Sequence, residues 1–372
     1  MRYLFFGDLC ITEANYQLFA DGSNSIFSKE LLEKVHSCDF VSFNLECPLI
    51  NKDSTPIKKC GPTLGALKDS IRGISLLKPS LVCLSNNHIY DYGFEGLQTT
   101  IEALENNKIN YVGNIIKGVK NNAFIQNGVS IINVCENEFS YNYKDDSGAC
   151  CLDSSIYNQI TELKNKTKRL IVVFHGGTEN FQYPSIDLVN LCRTFVDLGA
   201  NLVLCQHSHC IGCYEKYHDS TIVYGQGNFL FDAYRNNDVW THSVGVIYDT
   251  NTNEVEFIVT DFSSGTVSLT KEKRKDVLDN LEERSKELQN GSYKKHYEKF
   301  CHDRYIKFLC KLRGYSKIRT GIEMFIFKGF FIKLHYRGKR LYALSDVLNC
   351  EAHKELIKTS MKDSVFDSTT NK

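Results

Sequence analysis

The chain has 372 residues, a length that suits two domains or one large domain with an appendage. Its 44 Lys and Arg residues balance 44 Asp and Glu residues, so net charge points to neither nucleic acid nor a membrane as partner. Hydrophobic residues make up 42% of the chain and aromatic residues 12%, which excludes a disordered protein and supports a packed core.

The N-terminal segment MRYLFFGDLC has too short an apolar run for a signal peptide. No stretch reaches the roughly 20 apolar residues of a membrane-spanning helix. The 15 cysteines are an odd number and are scattered through the chain. We therefore expect reduced thiols and a cytoplasmic protein.

Short apolar runs bounded by turn residues predict strands at 2–6, 40–44, 81–85, 130–135, 170–175, 201–205, 221–225, 242–248 and 254–259. Segments with helical periodicity lie between them, at 28–36, 94–107, 154–167 and 186–198. Several strands are unbroken Val, Ile and Leu runs, which are typical of strands buried on both faces. Strands that alternate with helices predict an α/β fold.

The composition changes near residue 262, so we predict two domains, 1–262 and 263–372. Residues 286–341 carry 15 Lys and Arg but only 4 Asp and Glu, and the rest of the chain offsets this excess. Here the run GIEMFIFKGFFIKLHYRGKRLYAL alternates bulky apolar residues with cations. It predicts either a basic amphipathic helix at an anionic membrane surface or a helical cap with its cations in water.

Polar residues follow six of the predicted strands, and ligands of α/β sheets bind beyond the carboxyl ends of strands. Six of these residues are predicted metal ligands: Asp8, Glu46, Asn87, His175, His207 and His209. Imidazole nitrogen with carboxylate and amide oxygen suits Mn, Zn or Fe. Six ligands exceed the need of one tetrahedral ion, so we predict two divalent ions that share a bridging carboxylate.

The order of these motifs resembles the CapA family of poly-gamma-glutamate and capsule synthesis proteins, in the calcineurin-like metallophosphoesterase superfamily. The matching pieces, within about residues 1–260, are GDLC, SFNLECPL, LVCLSNNHIYDYGFEGLQTTIEAL, VVFHGGTENFQYPS, FVDLGANLVLCQHSHCIGCYEKYHDSTIVYGQGNFLFD and WTHSVGVIYD. The resemblance implies a four-layer αββα sandwich of the metallophosphoesterase type, here followed by a C-terminal helical extension. It also implies that the metal centre lies at the strand ends.

Carried over by motif, the resemblance implies that Asp8 and His209 serve the first ion and that Glu46 bridges. The second ion would be bound by Asn87, His175 and His207. Two residues depart from the superfamily pattern: Cys10 replaces a histidine, and Glu46 replaces an aspartate. Cys10 is either a soft metal ligand or a buried residue.

The resemblance also implies that His88 acts as general acid, oriented by Asp91, with metal-activated water as the nucleophile. Asn44, Glu179 and Asn228 are predicted to contact substrate. The expected substrate is a capsule or surface-polymer precursor, and the expected reaction is hydrolysis or transfer at a phosphoester, acyl or amide group. We place the protein in the cytoplasm or peripherally at the inner face of the membrane.

Three alternatives stay open at this point. The segment HSHCIGC, with His207, His209, Cys210 and Cys213, is a candidate for a mononuclear or structural zinc site, although structural zinc ligands usually come in two separated pairs. A non-catalytic binding or assembly protein of a polymer-synthesis complex is the second alternative. A nucleic-acid enzyme is the third, and we expect no nucleic acid because the first domain is acidic and carries no nucleic-acid motif.

Overall fold

The computed structural model describes residues 1–59, 61–142, 144–231, 238–341 and 344. Two compact units are present, Met1–Tyr293 and a second unit that begins at Lys294. The domain boundary predicted at residue 262 stays a prediction, and the first compact unit extends beyond it to Tyr293 because a further helix packs on its sheets. The end of the predicted extension, 345–372, lies outside the described residues.

Strands and helices are interspersed along the first unit. The strands are β1 (Arg2–Cys10), β2 (Phe40–Leu45), β3 (Leu49–Ile50), β4 (Ala66–Leu67), β5 (Leu81–Cys83), β6 (Asn110–Val112), β7 (Asn114–Ile116), β8 (Val119–Asn121), β9 (Ala123–Gln126), β10 (Val129–Cys135), β11 (Tyr141–Asn142), β12 (Ser147–Ala149), β13 (Arg169–His175), β14 (Leu202–Gln206), β15 (Tyr214–Tyr217), β16 (Ser220–Val223), β17 (Asn228–Phe231), β18 (His242–Asp249), β19 (Glu254–Asp261) and β20 (Ser268–Leu269). The α-helices are α1 (Tyr16–Asp21), α2 (Lys29–His36), α3 (Ile71–Ser75), α4 (Gly93–Asn106), α5 (Ser155–Lys166), α6 (Ile186–Leu198), α7 (Asp238–Thr241), α8 (Arg274–Asn290), α9 (Tyr293–Leu312), α10 (Lys317–Phe325) and α11 (Phe330–His335). A short 3₁₀ helix covers Lys68–Ser70.

The first large sheet has the order β20-β19-β18-β1-β2-β5-β6, and β17 pairs with β1 beside this path. Strands β1, β2, β5 and β6 run parallel, as do β1 and β17, whereas β18 is antiparallel to β1. The pairing of β1 with β17 depends on close backbone approach at Gly7, where an added Cβ would lie 2.1 Å from the Gly227 carbonyl oxygen.

The second large sheet has the order β15-β16-β14-β13-β10-β9. Its four central strands are parallel, and the edge strands β9 and β15 are antiparallel to their neighbours. Strand β10 is buried along its whole length, as its apolar sequence VSIINVC predicts. Two smaller sheets, β11-β12-β7-β8 and β3-β4, complete the strands.

Apolar side chains fill three layers of the first unit. Tyr3 and Phe5 of the first sheet pack against Ile131 and Val173 of the second, so the two sheets face each other. The outer face of the first sheet packs against helices α1 to α4, and that of the second against α5, α6 and α8. The predicted α/β class and its helix-sheet-sheet-helix layering are confirmed.

Two of the predicted helices begin at serine caps. Ser28 Oγ accepts a hydrogen bond from Leu31 N at 3.2 Å and starts α2, and Ser185 Oγ accepts from Leu188 N at 3.0 Å and starts α6. Helix α6 buries Leu188, Val189, Cys192, Phe195 and Val196 against the second sheet. The packing of α6 fixes one end of the segment that connects β13 to this helix.

The second unit is helical, as the sequence predicts. Its small core contains Leu309 and Cys310 of α9 and Ile332 of α11. None of the helices in the described part of the chain combines the length and the apolar character needed to cross a membrane.

Candidate metal centre

The carboxyl ends of strands from both sheets supply the polar residues of the candidate centre. Asp8 of β1 lies in register with Asn44 of β2 and Asn228 of β17, and His175 ends β13. Glu46 follows β2, and His207 and His209 follow β14. Parallel pairing within each sheet brings these ends to one edge, as expected for an α/β site.

Glu46, His175 and His207 form a buried group in which one potential ligand atom from each lies within 4.8 Å of the others. His175 Nε2 lies 3.6 Å from Glu46 Oε1 and 3.1 Å from His207 Nδ1. Asn87 Oδ1 lies 3.1 Å from the same His175 nitrogen. The structure therefore brings four of the six predicted ligands together around His175 Nε2.

Asp8 and His209, the other two predicted ligands, adjoin this group. Asp8 Oδ2 lies 3.7 Å from His209 Nδ1, and Asp8 Oδ1 lies 3.7 Å from His175 Nδ1. His209 Nδ1 also lies 3.0 Å from Asn228 Oδ1, while Asn228 Nδ2 donates to the His209 carbonyl oxygen. With the Asn228 amide oriented in this way, His209 Nδ1 donates to Asn228 Oδ1.

The backbone leaves β14 in an unusual conformation. His207 has a φ angle of 87° and His209 one of 58°, in the left-handed region that residues with a Cβ seldom adopt. Such a residue costs on the order of 1–3 kcal/mol and persists where surrounding contacts hold it, often at functional sites. One such contact is the hydrogen bond of 3.1 Å from His207 N to Asp8 Oδ2. The turn brings both imidazoles of the HSH motif to the same centre.

Burial sets the protonation of the group. Burial, opposed by His209, raises the pKa of Asp8, and burial together with the charge of Asp8 raises the pKa of Glu46 well above its usual value. Burial and then the neighbouring His207 lower the pKa of His175 well below the ordinary range, and burial lowers that of His207 to about 4. The imidazoles of His175 and His207 are therefore neutral at pH 7, the form that binds metal.

Asn44 holds the carboxylates of Asp8 and Glu46 in place, and Asn86 holds Asn44. Asn44 Nδ2 donates to Asp8 Oδ1 at 2.8 Å and to Glu46 Oε2 at 2.6 Å, and it lies 3.3 Å from His175 Nδ1. Asn86 Nδ2 donates to Asn44 Oδ1 at 2.9 Å. The predicted substrate contact of Asn44 stays a prediction, and the structure places this fully buried amide inside the ligand cluster.

His88 and Asp91, the predicted proton donor and its partner, contact each other, and a third residue joins them. His88 Nδ1 lies 2.7 Å from Asp91 Oδ2. Lys59 Nζ bonds to Asp91 Oδ1 and lies 3.2 Å from His88 Nδ1. The Lys59 side chain is only 4% exposed. Sequence reasoning missed Lys59, because it lies in a loop without periodicity or motif.

Two acidic residues flank His207 on the solvent side. His207 Nε2 lies 3.8 Å from Glu138 Oε1 and 3.9 Å from Glu179 Oε1, and both glutamates are exposed. Glu138 Oε2 also accepts from Asn87 Nδ2 at 3.3 Å. Glu179 was predicted as a substrate contact and lies at the rim, whereas no pattern in the sequence marked Glu138.

The cysteines near the centre are packed as core residues. Cys10 is buried in the hydrophobic cluster behind the first sheet, and its Sγ lies 3.9 Å from the Ile11 carbonyl oxygen. Burial raises the pKa of the Cys10 thiol and raises that of Cys210 to about 12. Cys213 lies in the cluster behind the second sheet. These buried thiols favour neither Cys10 as a ligand nor a zinc site in HSHCIGC.

The donor set fits a divalent ion. Two ligands about 2.1 Å from a tetrahedral ion lie about 3.4 Å apart, and the 3.1 and 3.6 Å separations at His175 Nε2 bracket that value. Among the described residues, Glu46 Oε1 is a buried carboxylate oxygen without a hydrogen-bond partner. A buried anionic oxygen is stable when paired or when it coordinates a metal. Neutral imidazole nitrogens complete the set.

Two curated proteins resemble the chain in sequence. It is 26% identical over 227 residues to the capsule biosynthesis protein CapA of Bacillus anthracis, covering 57% of this chain and 54% of that protein. It is 26% identical over 221 residues to the PGA biosynthesis protein CapA of Bacillus subtilis strain 168, covering 57% of this chain and 58% of that protein. The match thus spans little more than half the length of these relatives.

Solved structures resemble the chain more distantly. A 5'-nucleotidase from Candida albicans has 11% identity and a TM-score of 0.41, covering 71% of this chain and 52% of that chain. A hypothetical protein from Thermus thermophilus has 14% identity and a TM-score of 0.39, covering 72% of this chain and 96% of that chain. The fold assignment therefore rests on the layers described above.

A family match covers the part of the chain that carries the centre. The model for the bacterial capsule synthesis protein PGA_cap matches residues 2–233. This range exceeds half of the 372 residues and includes the whole candidate centre, from Asp8 to Asn228. The chain belongs to the bacterial capsule synthesis protein PGA_cap family.

Proposed function

We propose that the first unit is a metal-dependent hydrolase or transferase that acts on a precursor of a capsule or another surface polymer. The observation that carries this proposal is the buried Glu46–His175–His207 group, with its unpartnered carboxylate oxygen and neutral imidazoles. The names of the curated relatives support a surface polymer as the product. The bond that reacts is a phosphoester, or an acyl or amide group.

In this proposal Glu46, His175 and His207 would hold one divalent ion, with Asn87 beside them. Asp8 and His209 would serve a second ion, and Glu46 is the carboxylate that the two ions would share. Bound ions of Mn, Zn or Fe polarise the substrate and make a bound water more acidic. Asn44 and Asn228 orient the ligands through the amide contacts of 2.8 Å to Asp8 and 3.0 Å to His209.

His88 is the proton donor to the leaving group. Asp91 accepts a hydrogen bond from His88 Nδ1 and holds the ring, so His88 Nε2 delivers the proton when the ring is charged. Lys59 pairs with Asp91 and holds that carboxylate in place. Exposed Glu138 and Glu179 line the rim of the centre. Their negative charges repel anionic parts of a substrate, except for the group that binds the ions directly.

The reaction belongs in the cytoplasm. All 13 cysteines whose state the structure describes are free, and most are buried in the cores of the two units. A chain with so many free and buried thiols suits a reducing compartment.

Turnover of two simple esters tests the proposal. The full chain, reconstituted with Mn, is assayed with diphenyl phosphate and with phenyl acetate, whose phenolate leaving groups need a proton near neutral pH, beside the His88→Gln variant. We expect metal-dependent turnover that falls on the order of 10²–10⁴-fold in the variant, at unchanged metal content, since this is the usual contribution of a general acid. His36→Gln, at an exposed histidine, is the matched control and keeps full activity.

Equal activity of His88→Gln and the parent would contradict the role of His88. Absence of turnover of both probes with the ions bound would favour the alternative of a non-catalytic binding or assembly protein. Absence of metal binding would overturn the proposal as a whole.

A further inference from the structure

Exposed apolar side chains are concentrated in one segment of the second unit. Among the described residues, nine of the fifteen exposed large hydrophobic side chains lie within residues 317–341. Phe325 is 81% exposed, Ile318 78%, Ile326 67% and Phe330 61%. Single exposed apolar residues are ordinary on protein surfaces, but such a cluster marks an interaction site.

The segment is a helical hairpin that presents these side chains as a group. Helix α10 leads through a turn at Gly329 into α11, and the Phe331 ring lies 4.8 Å from Phe327 and 5.2 Å from Phe330 in edge-to-face contacts. Buried Glu323 accepts a hydrogen bond of 2.8 Å from Ile332 N and ties the two helices together. The exposed phenylalanines at the turn therefore lie on a fixed scaffold.

Cations surround the apolar residues. Residues 317–341 contain seven Lys and Arg residues, all exposed. Their one acidic residue, Glu323, is buried and bonded to the backbone. The surface of the hairpin is therefore apolar and positive, without an exposed carboxylate to oppose an anionic partner.

We propose that this hairpin, residues 317–341, docks on the surface of an anionic lipid bilayer. Phenylalanine and isoleucine side chains on a basic helical surface insert at the boundary of headgroups and acyl chains, while Lys and Arg pair with lipid phosphates. A soluble anionic protein would complement the positive charge of the hairpin. It would not supply an apolar environment for the exposed side chains of the tip, Phe325 to Phe331. The docking is independent of the proposed reaction and brings a metal-free or inactive chain to the membrane as well.

Vesicle flotation of the full chain tests the docking. The probes are vesicles of equimolar phosphatidylcholine and phosphatidylglycerol, and vesicles of phosphatidylcholine alone. We expect flotation with the anionic vesicles and its loss in high salt or on the neutral ones. Each cation near an anionic surface contributes about fivefold, so the triple variant Lys328→Gln, Lys333→Gln and Arg337→Gln weakens binding about 100-fold.

Two further variants test whether the apolar side chains of the hairpin contribute to vesicle binding, and not merely the hydrophobicity of the protein surface in general. Replacing Phe325, Phe330 and Phe331 by serine should lower the affinity for anionic vesicles at least tenfold. The matched control replaces Val119 and Ile125, which are 72% and 55% exposed in the first unit, by serine and binds like the parent. The helical circular dichroism signal of each variant reports that its fold is intact.

Equal flotation with neutral and anionic vesicles, or full binding by the phenylalanine variant, would overturn the proposal. So would a concentration-dependent dimer that the phenylalanine variant abolishes while vesicles fail to bind, since the hairpin would then join two copies of the chain. Retention on RNA with no flotation would assign the cations to nucleic acid instead.

Discussion

Replacement of Glu46 by glutamine should have opposite effects on the stability of the metal-free and the metal-bound protein. Burial and Asp8 raise the pKa of the Glu46 carboxyl well above its usual value, and Oε1 has no hydrogen-bond partner among the described residues. In the metal-free fold this group is a buried acid that resists ionisation. Glutamine is nearly isosteric, always neutral, and still accepts the hydrogen bond from Asn44.

The sign of the effect follows from proton binding. Above about pH 4.3 an unfolded chain releases the Glu46 proton that the folded metal-free chain retains, so the stability from this group falls as pH rises toward the folded pKa. The Glu46→Gln variant has no such proton to release, so it lacks this loss of stability at higher pH. The metal-free variant should match the parent near pH 4 and exceed it at pH 8 by about 1–3 kcal/mol, since the folded parent must then either retain its proton or bury a charge.

Metal reverses the order. At a metal concentration 1,000 times its Kd, the parent gains about 4.1 kcal/mol of unfolding free energy, and the variant, which lacks the carboxylate, gains far less. Urea unfolding with chelator and with Mn measures both differences. Glu162→Gln, at a side chain 67% exposed, is the control and should change either value by less than about 0.5 kcal/mol. A variant that is less stable without metal, or equally stabilised by metal, would refute the reasoning.

Three further substitutions test other contacts of the centre. Lys59→Met removes one partner of a buried ion pair with Asp91, so urea unfolding should show a loss of about 3–5 kcal/mol, and a smaller loss in the Asp91→Asn background. Gly7→Ala places a Cβ 2.1 Å from the Gly227 carbonyl oxygen and should lower the free energy of unfolding by about 3 kcal/mol; a loss below about 1 kcal/mol would show that β1 and β17 are not in close contact. Cys10→Ala should leave the metal content unchanged, and a lost equivalent would make Cys10 a ligand after all.

The long strands and helices of the fold were predictable because their patterns are long and uniform. The predicted strand at 130–135 corresponds to β10 (Val129–Cys135), and the predicted helix at 186–198 corresponds to α6 (Ile186–Leu198). Strands of two to four residues, such as β7 (Asn114–Ile116), were missed, since so few residues show no periodicity. Strand β17 (Asn228–Phe231) was missed as well, because its pairing with β1 depends on close approach at Gly7.

The centre was predictable to the extent that its residues follow strands. His175 and His207 stand at the ends of buried apolar runs, and strand register brings them to one edge. Lys59 and Glu138 reach the centre from loops whose path depends on tertiary contacts, so no local pattern could identify them. The positive φ angles of His207 and His209 were equally invisible, because the surrounding fold imposes them.

Metal content tests the central claim most directly. The full chain, purified without chelator or nickel affinity, is analysed by plasma mass spectrometry beside a His207→Ala and His209→Ala double variant. His36→Ala with His218→Ala, at two exposed histidines, is the matched control. We predict two equivalents of a transition metal in the parent and the control and their loss in the His207 and His209 variant. No metal in the parent after reconstitution, or the same content in all three proteins, would contradict the account.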